Sequence, residues 1–176
     1  MPNIFVSWSK AKSREFALEI KYLIESLDPH SNVFMSEENI SAGEKVQEKI
    51  IKKIEDCDLL LLCFTKENKK SPWLLYEAGF ACGLNKTVIP LLFDNDPNWH
   101  SWIDNPMNVV REINIDGADF EASFINCFGL RDSSYTRNVL SNFIKNVENI
   151  KDKYRQVDIQ LSLIHISEPT RPLYIS

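Results

Sequence analysis

Residues Leu59, Leu60, Leu61, Leu62, Cys63 and Phe64 form an unbroken apolar run with no polar alternation. A strand with one wet face alternates in polarity. A strand covered on both faces does not, and such strands occur in parallel sheets sandwiched between helices. The run is far shorter than the roughly 20 apolar residues a membrane span requires. It therefore predicts a buried central strand, and the flanking sequence supplies partners for it. Ile4, Phe5 and Val6 make a short first strand with residues 7–10 as its exit loop. Phe16, Ile20, Leu23, Ile24 and Leu27 recur at helical spacing, and Asp28-Pro29 ends that helix because the residue before proline avoids helical angles. Ser13 is expected to cap it by accepting a backbone N–H bond. Val33, Phe34 and Met35 make a second strand.

Ser41 and Glu44 form a capping box for a second helix, whose buried stripe is Val46, Ile50, Ile51, Ile54 and Cys57. Ser71 as cap and Pro72 at the first helical position open a third helix. Residues 88–93 read as a fourth strand, in which Pro90 predicts an edge or a bulge because it has no N–H to donate. Residues 109–115 read as a fifth strand and 120–128 as a short helix. Val139, Leu140, Phe143, Ile144, Val147 and Tyr154 support a final helix. Strand and helix alternate throughout. The fold class is α/β, with a mostly parallel five-stranded sheet and helices on both faces.

The chain has 176 residues, enough for one domain with a short appendage. We place the domain at 1–155 and a C-terminal tail at 156–176. Residues 161–171 resemble the translation of a sequencing adapter, so 161–176 are expected to be non-native, with a genuine flexible C-terminal extension as the alternative. A net charge of -5 argues against a nucleic-acid surface. The four cysteines have neither metal-ligand nor C-x-x-C spacing. Cys57 and Cys63 are expected as buried free thiols, and Cys82 as a small core residue. Met1 leads directly into a strand with no signal-peptide pattern, which predicts a cytoplasmic, reduced protein with no membrane partner.

In open parallel sheets ligands bind outside the carboxyl ends of the strands. The segments there are 7–12, 36–43, 65–73 and 94–104, and they hold most of the informative polar and aromatic residues. On the third helix Trp73 and Glu77 stand at i and i+4 and share a face. Gly79 and Gly83 follow in the same helix, at a cost of roughly 1 kcal/mol each against alanine. They predict close backbone approach to the sheet and a rigidly held Glu77. The bland alternative is an amphipathic helix with a solvated glutamate.

Four ordered motifs carry a family resemblance. They are Ile-Phe-Val-Ser-Trp-Ser at 4–9, Phe-Met-Ser-Glu-Glu-Asn-Ile at 34–40 followed by Gly43, the stretch from Leu61 to Gly79 with Glu67-Asn68 and Ser71-Pro72-Trp73, and Ile-Pro-Leu-Leu-Phe-Asp at 89–94. Together they resemble bacterial Toll/interleukin-1 receptor (TIR) domains of the NAD+-cleaving, antiphage-defence type. The resemblance covers about residues 3–95 and fades beyond.

It implies a flavodoxin-like domain that releases nicotinamide from NAD+ and forms ADP-ribose or a cyclic ADP-ribose isomer. NAD+ is then substrate, with no cofactor and no metal. By matching position Glu77 is catalytic, and Ser7, Trp8, Ser36 and Trp73 border the substrate. Many relatives carry His or Tyr where Trp8 stands, and product control after Asp94 does not carry over. The implied partners are other TIR domains and a downstream effector that binds the cyclic product.

The residue types suit this chemistry. Cleaving an N-glycosidic bond to a cationic leaving group builds positive charge on the ribose, and one carboxylate can stabilise it. Trp8 and Trp73 could meet a pyridinium or adenine face. Lys10, Lys12 and Arg14 are candidates for the pyrophosphate, with a solvated helix start as the alternative. Trp99 and Trp102 read as packing residues, with a cover over the site as the alternative, Glu37 and Glu38 as loop surface or subunit contact, and His30 and His100 as exposed. A non-catalytic TIR–TIR scaffold and a nucleoside deoxyribosyltransferase-like enzyme are the competing functions.

Overall fold

A computed structural model describes residues 2–36, 46–94 and 112–167, with the side chains of 46, 47 and 161–167 left aside. The elements in chain order are β1 Asn3–Ser7, α1 Ala11–Leu27, β2 Asn32–Met35, α2 Val46–Asp56, β3 Leu59–Phe64, α3 Pro72–Gly83, β4 Thr87–Leu92, β5 Ile113–Asn114, α4 Phe120–Cys127 and α5 Ser134–Ser167. The strands form one sheet in the order β2-β1-β3-β4-β5, and each adjacent pair is parallel. This is the flavodoxin-like doubly wound order.

The apolar run is β3, in the middle of the sheet, and Leu60 to Cys63 are fully buried. Its side chains alternate between two cores. Leu61 and Cys63 join Ile4, Val6, Phe16 and Ile20 on the face covered by α1 and α5. Leu60, Leu62 and Phe64 join Phe5, Ile54, Leu74 and Ala78 on the face covered by α2 and α3. Two covered faces explain why the strand shows no polar position.

Pro90 resolves in an instructive way. β4 is the fourth of five strands, yet β5 pairs only with Leu91 and Leu92. At Pro90 the far side of β4 has no strand partner among the described residues, so the missing N–H disrupts no ladder there. Of residues 109–115 the described part is 112–115, and the strand within it is Ile113–Asn114.

Two helix starts differ from expectation. Lys10, not Ser13, is the N-cap of α1 and makes no side-chain cap bond; Ser13 Oγ accepts the Ser9 N–H at 3.5 Å from within the first turn. Ser13 lies inside the first turn, buried, and its hydroxyl donates to the Cys63 carbonyl at 2.7 Å. Ser71 does precede Pro72 at the start of α3, but it makes no side-chain cap bond. The Ser41–Glu44 capping box lies outside the described residues.

The glycine inference is overturned. A Cβ at Gly79 or Gly83 would meet nothing within 4 Å, and both glycines are exposed. α3 reaches the sheet instead through Leu74, Glu77, Ala78 and Ala81. Cys82 is exposed rather than core, whereas Cys57 and Cys63 are buried free thiols. α5 passes residue 155 without a break, and its side chains are exposed from 155 through 160.

Candidate active site

The sheet order creates a switch point between β1 and β3. From β1 the chain turns to α1 on one face, and from β3 it turns to α3 on the other. The two exit loops diverge and leave a crevice at the carboxyl ends of these neighbouring strands. Ser7 is the last residue of β1, opposite Leu62. Strand alternation places it with Phe5, toward α3.

Glu77 is fully buried in the second turn of α3. The Ser7 hydroxyl donates to its Oε2, and Oε1 has no hydrogen-bond partner among the described residues. Burial pushes the carboxyl up from an ordinary 4.5 to about 7, against the opposing pull of the Ser7 hydroxyl and then the Trp73 indole. A carboxyl in this condition can gain or lose its proton near neutral pH, and one of its oxygens is left without a partner among the described residues.

Trp73 is half-buried on the Glu77 side, packs against the α2–α3 core and stacks on Tyr76 at 6.0 Å. Tyr76 in turn stacks on Phe80 at 6.4 Å. Trp8 lies elsewhere. It packs with Ile4, Val6 and Phe16 on the α1–α5 face, 3% exposed, with the Arg14 guanidinium 5.6 Å from its ring. The two indoles thus sit on opposite faces of the sheet and do not make one clamp. The indole Nε1 of Trp8 is buried without a partner among the described residues. Ser36, buried at the end of β2, accepts the Trp8 backbone N–H at 3.4 Å and donates its own to the Val6 carbonyl at 2.9 Å.

The basic residues of the first loop are engaged by the protein itself. Lys12 Nζ contacts both Asp94 oxygens at 2.9 and 3.2 Å, and Asp94 also accepts the Lys66 backbone N–H at 2.9 Å. Lys10 Nζ donates to the Glu67 carbonyl at 2.6 Å. His30 is exposed. Glu37, Glu38, Trp99, His100 and Trp102 lie outside the described residues.

Two residues at the crevice escaped the sequence reading. Asn68, 1% exposed, accepts the Thr65 N–H at 2.7 Å and donates to the Cys63 carbonyl at 2.9 Å and the Ser9 carbonyl at 3.0 Å. Thr65 Oγ1 is buried and unpaired among the described residues. An Asn four residues after the end of a strand is a signal for a side-chain-closed turn, and it was available in the sequence.

A groove of about 420 Å³ lies at the amino end of β4, lined by Thr87, Val88, Ile89, Ile113, Ser123 and Cys127 among others. It is at the opposite end of the strands from Glu77 and holds no buried carboxylate, so the crevice is the better candidate despite the groove's volume. Among the described residues no group of three or more His, Cys, Asp or Glu side chains could hold a metal ion.

The family model described as TIR domain matches residues 4–124. No curated protein sequence matches the chain. Among solved structures, the chain is similar to a CMP N-glycosidase, BcmB, of Clostridium botulinum, at 18% identity and a TM-score of 0.46, covering 70% of this chain and 98% of that one. It is also similar to the TIR domains of the activated Roq1 resistosome that directly recognises the pathogen effector XopQ, at 17% identity and a TM-score of 0.47, covering 89% and 99%. The azoreductase AzrA aligns at 12% identity and a TM-score of 0.41, covering 83% and 98%.

Proposed function

This chain belongs to the TIR domain family, and from that premise we propose that it cleaves the nicotinamide–ribose bond of NAD+. The observation that carries the reading is the Ser7–Glu77 pair, a buried carboxyl at the β1–β3 crevice with one oxygen held and the other unpaired.

In the proposed reaction the bond between ribose C1′ and the pyridinium nitrogen breaks. The bonding pair leaves with nicotinamide, which departs neutral and needs no acid. Positive charge develops on the ribose, and ionised Glu77 stabilises it through Oε1 while the Ser7 hydroxyl holds Oε2. The cationic substrate itself favours the ionised carboxylate, offsetting the burial that raises its pKa. Water then attacks C1′ and loses a proton to give ADP-ribose. Attack by another nucleophile of the same molecule would instead give a cyclic isomer. Trp73, beside Glu77, offers an aromatic face to the pyridinium. Trp8, on the other face, is left with a role in holding the β1 exit loop.

We further read the domain as self-associating, with signalling in antiphage defence through an effector of the cyclic product as the physiological setting. A scaffold role without catalysis is the second reading. It draws on the outer face of α3, where Tyr76, at 39% exposure, stacks on Phe80 beside exposed Gly79, with Leu84 at 39% exposure just past the helix end. A helix apolar on both faces is normally covered on both. Among the described residues no helix is long and apolar enough to cross a membrane.

The test is incubation of concentrated protein with NAD+ and chromatographic separation of nicotinamide, ADP-ribose and cyclic products. Nicotinamide must appear with one of the other two. Intact NAD+ with assembled protein would leave the scaffold reading.

A further inference from the structure

Lys10 has φ 73° and ψ 159°, a backbone region that is close to exclusive to glycine. A residue persists there only when its surroundings over-determine it. The surroundings are specific. The Arg14 backbone N–H donates to the Lys10 carbonyl at 3.1 Å as α1 begins. One residue earlier, the Ser9 carbonyl accepts from Asn68 Nδ2 at 3.0 Å across the crevice.

Asn68 is itself fixed. Its backbone N–H donates to the Thr65 carbonyl at 3.2 Å, and its carbonyl accepts the Ser71 N–H at 2.8 Å. Its side-chain oxygen takes the Thr65 N–H, and its second amide proton goes to the Cys63 carbonyl. Every polar group of Asn68 is bonded, and a single one of those bonds reaches the loop that leaves Ser7.

We propose that Asn68 is a positioning residue, whose amide clamps the strained Ser9–Lys10 turn to the β3 exit turn and thereby aligns the Ser7 hydroxyl on Glu77. The proposal rests on the NAD+ reading for its effect on activity, but the clamp has a signature of its own. Strain at Lys10 is sustained by the Asn68 bond, beside a bond from Lys10 Nζ to the Glu67 carbonyl that glycine and alanine at position 10 remove alike. Without that bond the loop relaxes and carries Ser7 out of line. With glycine at position 10 there is no strain to relax, so the loop keeps its course even without the clamp.

The experiment is a double-mutant cycle on the full chain with Asn68→Asp, which keeps the acceptor and removes both donors, and with Asn68→Ser should the aspartate variant not fold. Each is combined with Lys10→Gly and with Lys10→Ala. The alanine removes the same ammonium but keeps the Cβ that makes the conformation costly. In thermal melts, Lys10→Gly is expected to raise the midpoint over Lys10→Ala by about 2–4 °C when Asn68 is present, and to give no such rise when it is replaced. In nicotinamide release from NAD+, the Asn68 variant is expected to lose at least about tenfold in kcat and to shift the acid limb of its pH profile upward, as loss of the Ser7 bond requires. Glycine at position 10 restores both, and alanine does not.

The same gain from glycine in both backgrounds, or an activity loss that glycine does not repair in a folded double variant, would overturn the proposal. A wild type that releases no nicotinamide sinks the NAD+ reading, while the melting cycle still decides whether the clamp exists.

Discussion

Ser7 and Glu77 are separated by 70 residues, and the hydroxyl of one donates to the buried carboxyl of the other. The bond joins the end of β1 to the second turn of α3 and occupies one carboxyl oxygen, leaving Oε1 unpaired. It also opposes the burial that raises the Glu77 pKa to about 7. That pairing yields the first prediction. Ser7→Ala removes the opposing bond, so the Glu77 pKa rises further. The acid limb of the pH profile of kcat/KM for nicotinamide release should move upward, and the rate at pH 7 should fall by about tenfold or more. An unmoved limb would show that Ser7 does not tune Glu77.

Glu77 also makes stability depend on pH. Its folded pKa, about 7, lies above the ordinary 4.5, so between those values the native state binds more protons than the unfolded chain. The stabilisation from the protonated carboxyl is complete below 4.5 and is lost as pH rises through about 7. Glu77→Gln has no such loss. Its melting temperature should gain on wild type from pH 5 to pH 8, by an increment worth roughly 3 kcal/mol at most. Parallel curves across that range would contradict the raised pKa.

How much of this was legible depended on the kind of signal. β3 was readable because burial on both faces erases alternation, and Glu77 because its spacing from Trp73 put both on one side of α3. The face of Trp8 was readable too, since Ile4, Val6 and Trp8 alternate against Phe5 and Ser7 past the end of the strand. Gly79 and Gly83 misled because a helical glycine marks either a tight contact or an outer position where no Cβ is needed, and composition does not separate the two. The link between Asn68 and the turn at Lys10 was not legible, for a different reason. It lies in one hydrogen bond between loops 59 residues apart and in a backbone angle, and periodicity encodes neither.

The exposed glycine gives a third prediction. Gly79→Ala adds a methyl group into open space within α3. Helix propensity then dominates, and the variant should be more stable by about 1 kcal/mol, or about 2–4 °C in thermal melts. Destabilisation would restore the close-contact reading of that position.

A fourth concerns the Lys12–Asp94 pair, whose side chains are 13% and 12% exposed. Removing Asp94 loses both the Lys12 and the Lys66 bonds, whereas removing Lys12 leaves the Lys66 bond in place. Asp94→Ala should therefore cost more than Lys12→Ala in chemical denaturation, about 2–3 against about 1 kcal/mol. Equal costs would mean that the Lys66 bond contributes nothing to holding the loop ends together.

The most direct test of the account is the initial rate of nicotinamide release from NAD+ by wild type and Glu77→Gln, at pH 8, with both shown to be folded by thermal melts. The account predicts measurable release by wild type and a loss exceeding about 100-fold in the variant, with the variant at least as stable. A stable Glu77→Gln that releases nicotinamide at the wild-type rate would contradict it.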